Sequence, residues 1–132
     1  MAAASESYPD DLLYHPEHDW ARIDGDEAVM GVTWFAQDAL GELVHYEAPE
    51  QGATITAGSS YGEVESVKAV SDVIAPLSGE VLEVNAKVVD APETVNEDPY
   101  GDGWLIRIRL TSPEEREQLL DVAGYKQVLE SA

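Results

Sequence analysis

Cysteine is absent from these 132 residues, so disulfides, thiolate metal sites and a thiol nucleophile are all excluded. Positive charge is almost as scarce: seven Lys and Arg stand against 27 Asp and Glu, a formal net charge of −20. A surface of that sign repels phosphate backbones and anionic headgroups, which argues against nucleic acid and membrane partners and for a partner with a basic face. The charge is spread along the chain, and hydrophobic residues still make up 44% of it, so the acidity reads as the shell of a folded protein and not as disorder. Proteins of salt-rich cytoplasm have such shells, and a halophilic adaptation is the corresponding expectation. Long apolar runs are missing too. The stretch from Met1 to Asp11 has no Lys or Arg and three acids, unlike a signal peptide or a membrane span, so the chain is expected to be cytoplasmic.

What is present is a succession of short strands separated by turn signals. A length of 132 residues suits one domain, 1–132, with a flexible N-terminal tail over 1–11. His18–Ile23 and Glu27–Val32 read as a first hairpin around Asp24-Gly25-Asp26. Thr33 is placed to cap a short helix over Trp34–Leu40, which Gly41 stops. Strands follow over Glu42–Glu47, Ser60–Glu65, Val70–Ala75 and Glu80–Val84. A long irregular loop is expected over 91–103, and a last strand over Trp104–Leu110. Ser112, Pro113 and Glu115 have the spacing of a capping box, so a helical segment is predicted over 112–130, interrupted near Gly124. Gly41-Glu42-Leu43-Val44 is echoed by Gly79-Glu80-Val81-Leu82, which suggests two similar halves facing each other. Many short strands without helical crossovers favour a β-sandwich or flattened barrel over a βαβ fold.

The sites at which chemistry could be sought are few. His15, Glu17, His18 and Asp19 are a dense group of metal-ligand types, but Pro16 interrupts them and no helical spacing or downstream partner motif accompanies them, so no metal site is expected. Glu97, Asp98 and Asp102 do not have calcium-loop spacing, and Gly101-Asp102-Gly103 has no nearby cation to meet a phosphate. No serine lies in a nucleophile-elbow pattern, and His45 reads as a strand residue, so no catalytic residue is expected.

Lys68 is the residue that stands out, one of only three lysines and flanked by two β-like runs in Glu63-Val64-Glu65-Ser66-Val67-Lys68-Ala69-Val70-Ser71-Asp72. At a hairpin tip its four-carbon stem projects into solvent, where a ligase could reach the amine and an attached group could swing. Residue types and spacing leave this open between a modification handle and an ordinary solubilising turn lysine.

The run Val64-Glu65-Ser66-Val67-Lys68-Ala69 resembles the lipoylation signature of the glycine cleavage system H-protein family. The resemblance continues in His18-Asp19-Trp20, Gly31-Val32-Thr33, Ala36-Gln37-Asp38-Ala39-Leu40-Gly41, Ser78-Gly79-Glu80-Val81, Val84-Asn85, Asn96-Glu97-Asp98-Pro99-Tyr100-Gly101 and Gly103-Trp104-Leu105. It therefore covers roughly residues 12–110, in order.

That resemblance implies a mainly β, barrel-sandwich hybrid of the lipoyl- and biotinyl-carrier kind, with a short internal helix and C-terminal helices. It implies a non-catalytic carrier with lipoate in amide linkage on Lys68, shuttling the aminomethyl group of glycine. The implied partners are glycine decarboxylase (the P protein), the aminomethyltransferase (the T protein), dihydrolipoamide dehydrogenase (the L protein) and a lipoate ligase or transferase. It further implies a cleft in which acidic side chains receive the cationic amine, and points there to Asp19 and Asp72. Asp19 replaces the family's usual glutamate and is one methylene shorter; Ala48 stands before Pro49 where leucine is usual. A lipoyl domain of a 2-oxo-acid dehydrogenase would have Asp before the lysine and a linker, and a biotin carrier would have methionines around it. The remaining alternatives are a carrier that relays lipoate to other proteins and an unmodified acidic binding module.

Overall fold

The computed structural model describes residues 4–131. It contains two antiparallel sheets. The larger has the order β1-β2-β3-β9-β8-β5, formed by β1 (Leu13–His15), β2 (Asp19–Asp24), β3 (Glu27–Val32), β5 (Thr54–Ile55), β8 (Gly79–Val84) and β9 (Ile106–Leu110). The smaller has the order β4-β6-β7, formed by β4 (Leu43–Glu47), β6 (Ser60–Ser66) and β7 (Val70–Ile74). The two members of the Gly-Glu-Leu/Val echo fall one in each sheet: Leu43 opens β4 and Val81 lies in β8, and both enter one buried core. Alternation accounts for this packing. In β9, Ile106, Ile108 and Leu110 point inward while Arg107 and Arg109 face out, as a strand period of two requires.

The helix over Trp34–Leu40 (α1) has the predicted bounds, with the Thr33 side chain accepting the Ala36 N–H and Gly41 leaving in a positive-φ conformation (φ 88°) that glycine adopts without steric cost. Elsewhere the structure corrects the expectations. The loop expected over 91–103 contains the short helix α3 (Thr94–Glu97), and it is preceded by α2 (Ala86–Asp90), which Asn85 caps through the Lys87 N–H. The capping box at Ser112 is not formed. Ser112 makes no side-chain cap, Pro113–Gln118 winds as a 3-10 helix, and the Glu115 carboxylate instead accepts the backbone N–H and the hydroxyl of Ser78, 2.8 and 2.9 Å away. A carboxylate held by two donors on a neighbouring turn has left its own helix end. The last helix, α4 (Val122–Ser131), is longer than expected.

The segment expected to be a loose tail is tied down over its described part. Ala4 donates to the Asn96 carbonyl and accepts the indole N–H of Trp34, and the Ser7 carbonyl accepts the Tyr100 hydroxyl. Residues 1–3 of that expectation lie outside the described residues. A second buried cluster of Leu12, Tyr14, Trp20, Tyr100 and Tyr125 sits beneath this segment and α4. Among the described residues, no helix is long and apolar enough to cross a membrane.

Candidate functional site

Lys68 lies on the three-residue link between β6 and β7, Val67-Lys68-Ala69, and is exposed. Ser66 builds this tip. Its backbone N–H donates to the Ala69 carbonyl at 2.8 Å, and its hydroxyl oxygen lies 3.3 and 3.2 Å from the N–H groups of Lys68 and Ala69. A serine turn of this kind satisfies the backbone locally and leaves the lysine side chain outside the ladder. The stem runs over the C-terminal end of α1, where a Cβ built on Gly41 would stand 3.6 Å from Lys68 Cε. Val67 and Val70, on either side of the tip, are 86% and 57% exposed, so bare apolar surface flanks the amine.

A groove of about 620 Å³ opens beside the tip, beginning two residues away at Val70. One wall is β7, with Val70, Ser71, Asp72 and Ile74; a second is α1, with Phe35, Ala36, Ala39 and Leu40; Glu17 and His18 close it from the turn between β1 and β2. His18 holds a left-handed backbone, φ 74°, which is uncommon for a residue with a Cβ and costs about 1 kcal/mol. The turn is fastened by His18 N–H to the His15 carbonyl at 2.9 Å and by the Thr33 N–H to the His18 carbonyl at 3.1 Å. A trough of mixed apolar and polar lining with two carboxylates, Glu17 and Asp72, suits a chain-like guest that ends in a cation.

The structure brings Asp72 to this groove and sets Asp19 behind its wall. Asp19 is only 2% exposed and is not among the groove's lining residues; its carboxyl lies near the backbone N–H of Ile74 in β7. Burial pushes its carboxyl well above the ordinary range, against the opposing effect of the Ile74 N–H and with help from the charge of Glu17. The hydroxyl of Tyr61, buried and without a hydrogen-bond partner, also feels that carboxylate. Glu17 is the groove acid that sequence reasoning did not assign. Glu17 lies in the turn before β2, where no strand or helix period fixes the side to which its carboxylate points, so no local signal marked it.

The residues weighed as metal ligands are otherwise engaged. His15 Nδ1 accepts the Glu17 N–H at 3.1 Å, and His18 Nδ1 lies 2.8 Å from the Tyr125 hydroxyl. Asp98 accepts the N–H groups of Gly101 and Asp102, closing its own loop. His45 is an exposed strand residue beside Glu47.

Known proteins resemble this chain in sequence and in fold. The family model described as "Glycine cleavage H-protein" matches residues 12–132. The glycine cleavage system H protein of Symbiobacterium thermophilum is 49% identical over 117 residues, 89% of this chain and 91% of that protein. A probable glycine cleavage system H protein of Haloarcula marismortui is 48% identical over 122 residues, 92% and 96% of the two chains. A crystal structure of the glycine cleavage system H protein from Mycobacterium marinum superposes with a TM-score of 0.86 at 43% identity, covering 93% of this chain and 99% of that one. A family match over all but the first residues, at such identity and with the same fold, means that the chain belongs to the glycine cleavage H-protein family.

Proposed function

We propose that this chain is the carrier subunit of a glycine cleavage system, with lipoate joined by an amide bond to Lys68. The observation that carries the reading is the pairing of an exposed, turn-mounted Lys68 with an acid-bearing groove that begins two residues away. Lys87 also borders an acid-lined hollow, but it stands on α2 rather than on a turn and is held by Asp102 at 2.8 Å. Lys126 rides α4, whose surface hollow at Leu120, Gly124, Gln127, Val128 and Ser131 contains no acid.

When attached, the dithiolane of lipoate supplies disulfide and dithiol chemistry that no side chain of a cysteine-free protein offers. The chain's own residues supply the rest. Lys68 provides the amine that becomes the amide and loses its charge on acylation. Phe35, Ala36, Ala39, Leu40 and Val70 offer an apolar seat from which water is partly excluded. Asp72 and Glu17 supply negative charge to an amine brought there, while Asp19 is buried behind the wall. The partners on this reading are the decarboxylase, the aminomethyltransferase, dihydrolipoamide dehydrogenase and a lipoate ligase or transferase.

Intact mass followed by peptide mapping of protein purified from its native cells tests the attachment. A lipoyl-sized increment is expected on the peptide containing Lys68 and is expected to vanish in Lys68→Arg. An unmodified Lys68 in cells with active lipoylation would overturn the reading.

A further inference from the structure

One phenol fastens two of the elements that wall the groove. Tyr125 comes from α4, is fully buried and stacks on Tyr14 with ring centroids 4.7 Å apart. Its hydroxyl lies 2.8 Å from Nδ1 of His18 and 2.8 Å from Oγ1 of Thr33. His18 lines the groove from the β1–β2 turn, and Thr33 caps α1, which lines it from the other side. The His18 ring also rests on Phe35 of α1, centroids 4.5 Å apart.

Counting protons assigns the hydrogen bonds. Thr33 is fully buried, and its Oγ1 already accepts the Ala36 N–H at 3.4 Å. If Tyr125 donated to Thr33, the Thr33 hydroxyl proton would be left buried with no acceptor among the described residues, which is costly. Every proton is satisfied when Thr33 O–H donates to the Tyr125 oxygen and Tyr125 O–H donates to His18 Nδ1. Nδ1 is then bare, and the neutral ring carries its proton on Nε2. Burial, which holds His18 below the ordinary imidazole value, favours the same neutral ring.

On the carrier reading above, we propose that Tyr125 is a positioning residue for the groove: it fixes His18 as the Nε2–H tautomer and locks the β1–β2 turn to the start of α1, so the C-terminal helix shapes the seat offered to the arm on Lys68. The left-handed backbone of His18 makes the lock necessary. A strained turn keeps its geometry only while its surroundings over-determine it, and here the ring, the N–H and the carbonyl of one residue are each held by a different group.

The test is NMR of the imidazole nitrogens in the full chain, unmodified and lipoylated, for wild type, Tyr125→Phe and Thr33→Ser. Tyr125→Phe keeps the ring that stacks on Tyr14, and Thr33→Ser keeps the hydroxyl. His18 is expected as the pure Nε2–H tautomer in wild type and Thr33→Ser, and as a mixture of tautomers in Tyr125→Phe, with His45 unchanged in all three. The methyl shifts of Ala36 and Ala39 between the unmodified protein and the lipoylated protein charged with glycine are expected to fall at least twofold in Tyr125→Phe and to survive in Thr33→Ser. A tyrosine that only packs α4 would alter stability without moving the His18 tautomer. A wild-type His18 protonated at Nδ1, or methyl shifts that are the same in Tyr125→Phe, would overturn the proposal. A wild-type chain that never acquires lipoate would sink the carrier reading instead, and the unmodified protein's His18 spectrum would then decide the relay by itself.

Discussion

On the outer face of the six-stranded sheet, Arg107 of β9 reaches Glu27 of β3 at 2.7 Å and Glu83 of β8 at 3.1 Å, and Arg109 pairs with Glu80. On the three-stranded sheet, the corresponding row across all three strands is Glu47, Glu63 and Asp72, carboxylates in direct register with no cation between them. Opposite charges facing each other across strands stabilise a ladder, and like charges weaken it. Three of the seven Lys and Arg, Arg22, Arg107 and Arg109, lie in strands of the six-stranded sheet, and none lies in a strand of the sheet whose hairpin presents Lys68. Stability and a negative field beside the lysine are thus kept on different sheets, which explains how a chain of net charge −20 can keep an ordered scaffold.

The largest effects should come from the glycines that let each sheet close. A Cβ on Gly79 would run into the Arg109 carbonyl and Ile108 Cδ1, and one on Gly62 would meet the Glu47 carbonyl. Gly79→Ala and Gly62→Ala are each expected to cost about 3 kcal/mol in urea unfolding, because backbone atoms cannot step aside as side chains do. The comparison sharpens if Gly62→Ala also disorders the Lys68 hairpin while Gly79→Ala leaves it formed. The buried carboxyl of Asp19 comes next. The folded protein raises the pKa of Asp19, so the native state binds the extra proton, and stability is full below the ordinary carboxylate value of about 3.9 and declines as pH rises through the raised one. Asp19→Asn carries no titratable proton, so its stability relative to wild type is expected to improve steadily from pH 4 to pH 8 by urea titration; a constant difference would show that the carboxyl titrates alike in the folded and unfolded chains and that burial does not raise it.

Charge neutralisations on the two sheets should have smaller effects, of opposite sign. Arg107→Gln leaves Glu27 and Glu83 without their cation and is expected to cost about 1 kcal/mol, modest because these groups are partly exposed. Glu63→Gln removes the middle charge of the carboxylate row and is expected to add about 0.5 kcal/mol in dilute buffer. Raising potassium chloride should lift the wild-type melting temperature and close the gap to Glu63→Gln, since screening relieves the same repulsion. A melting temperature that stays flat or falls with salt would break the halophilic interpretation.

Local signals made much of this fold legible. Thr33 and Gly41 bracketed α1, Asp24-Gly25-Asp26 turned the first hairpin, and the alternation in Ile106–Leu110 marked β9 as half-buried. The strands β1 and β5 were missed because three and two residues carry too little period to read, and they exist only through pairing with β2 and β8. The capping box at Ser112 misled because Glu115 had a better offer from Ser78, 37 residues away in sequence.

At the candidate site the division is the same. The motif around Lys68, its flanking strands and the shortage of other lysines were properties of the sequence, since a turn and its exposed stem are specified within ten residues. The groove belongs to the tertiary structure. It needs β7, α1 and the β1–β2 turn to meet, and their meeting decided that Glu17 faces the cavity while Asp19, two positions on, is buried against Ile74. Side-chain direction across a turn, and the burial that sets a carboxyl's protonation, depend on which distant elements pack there, and no local pattern encodes that.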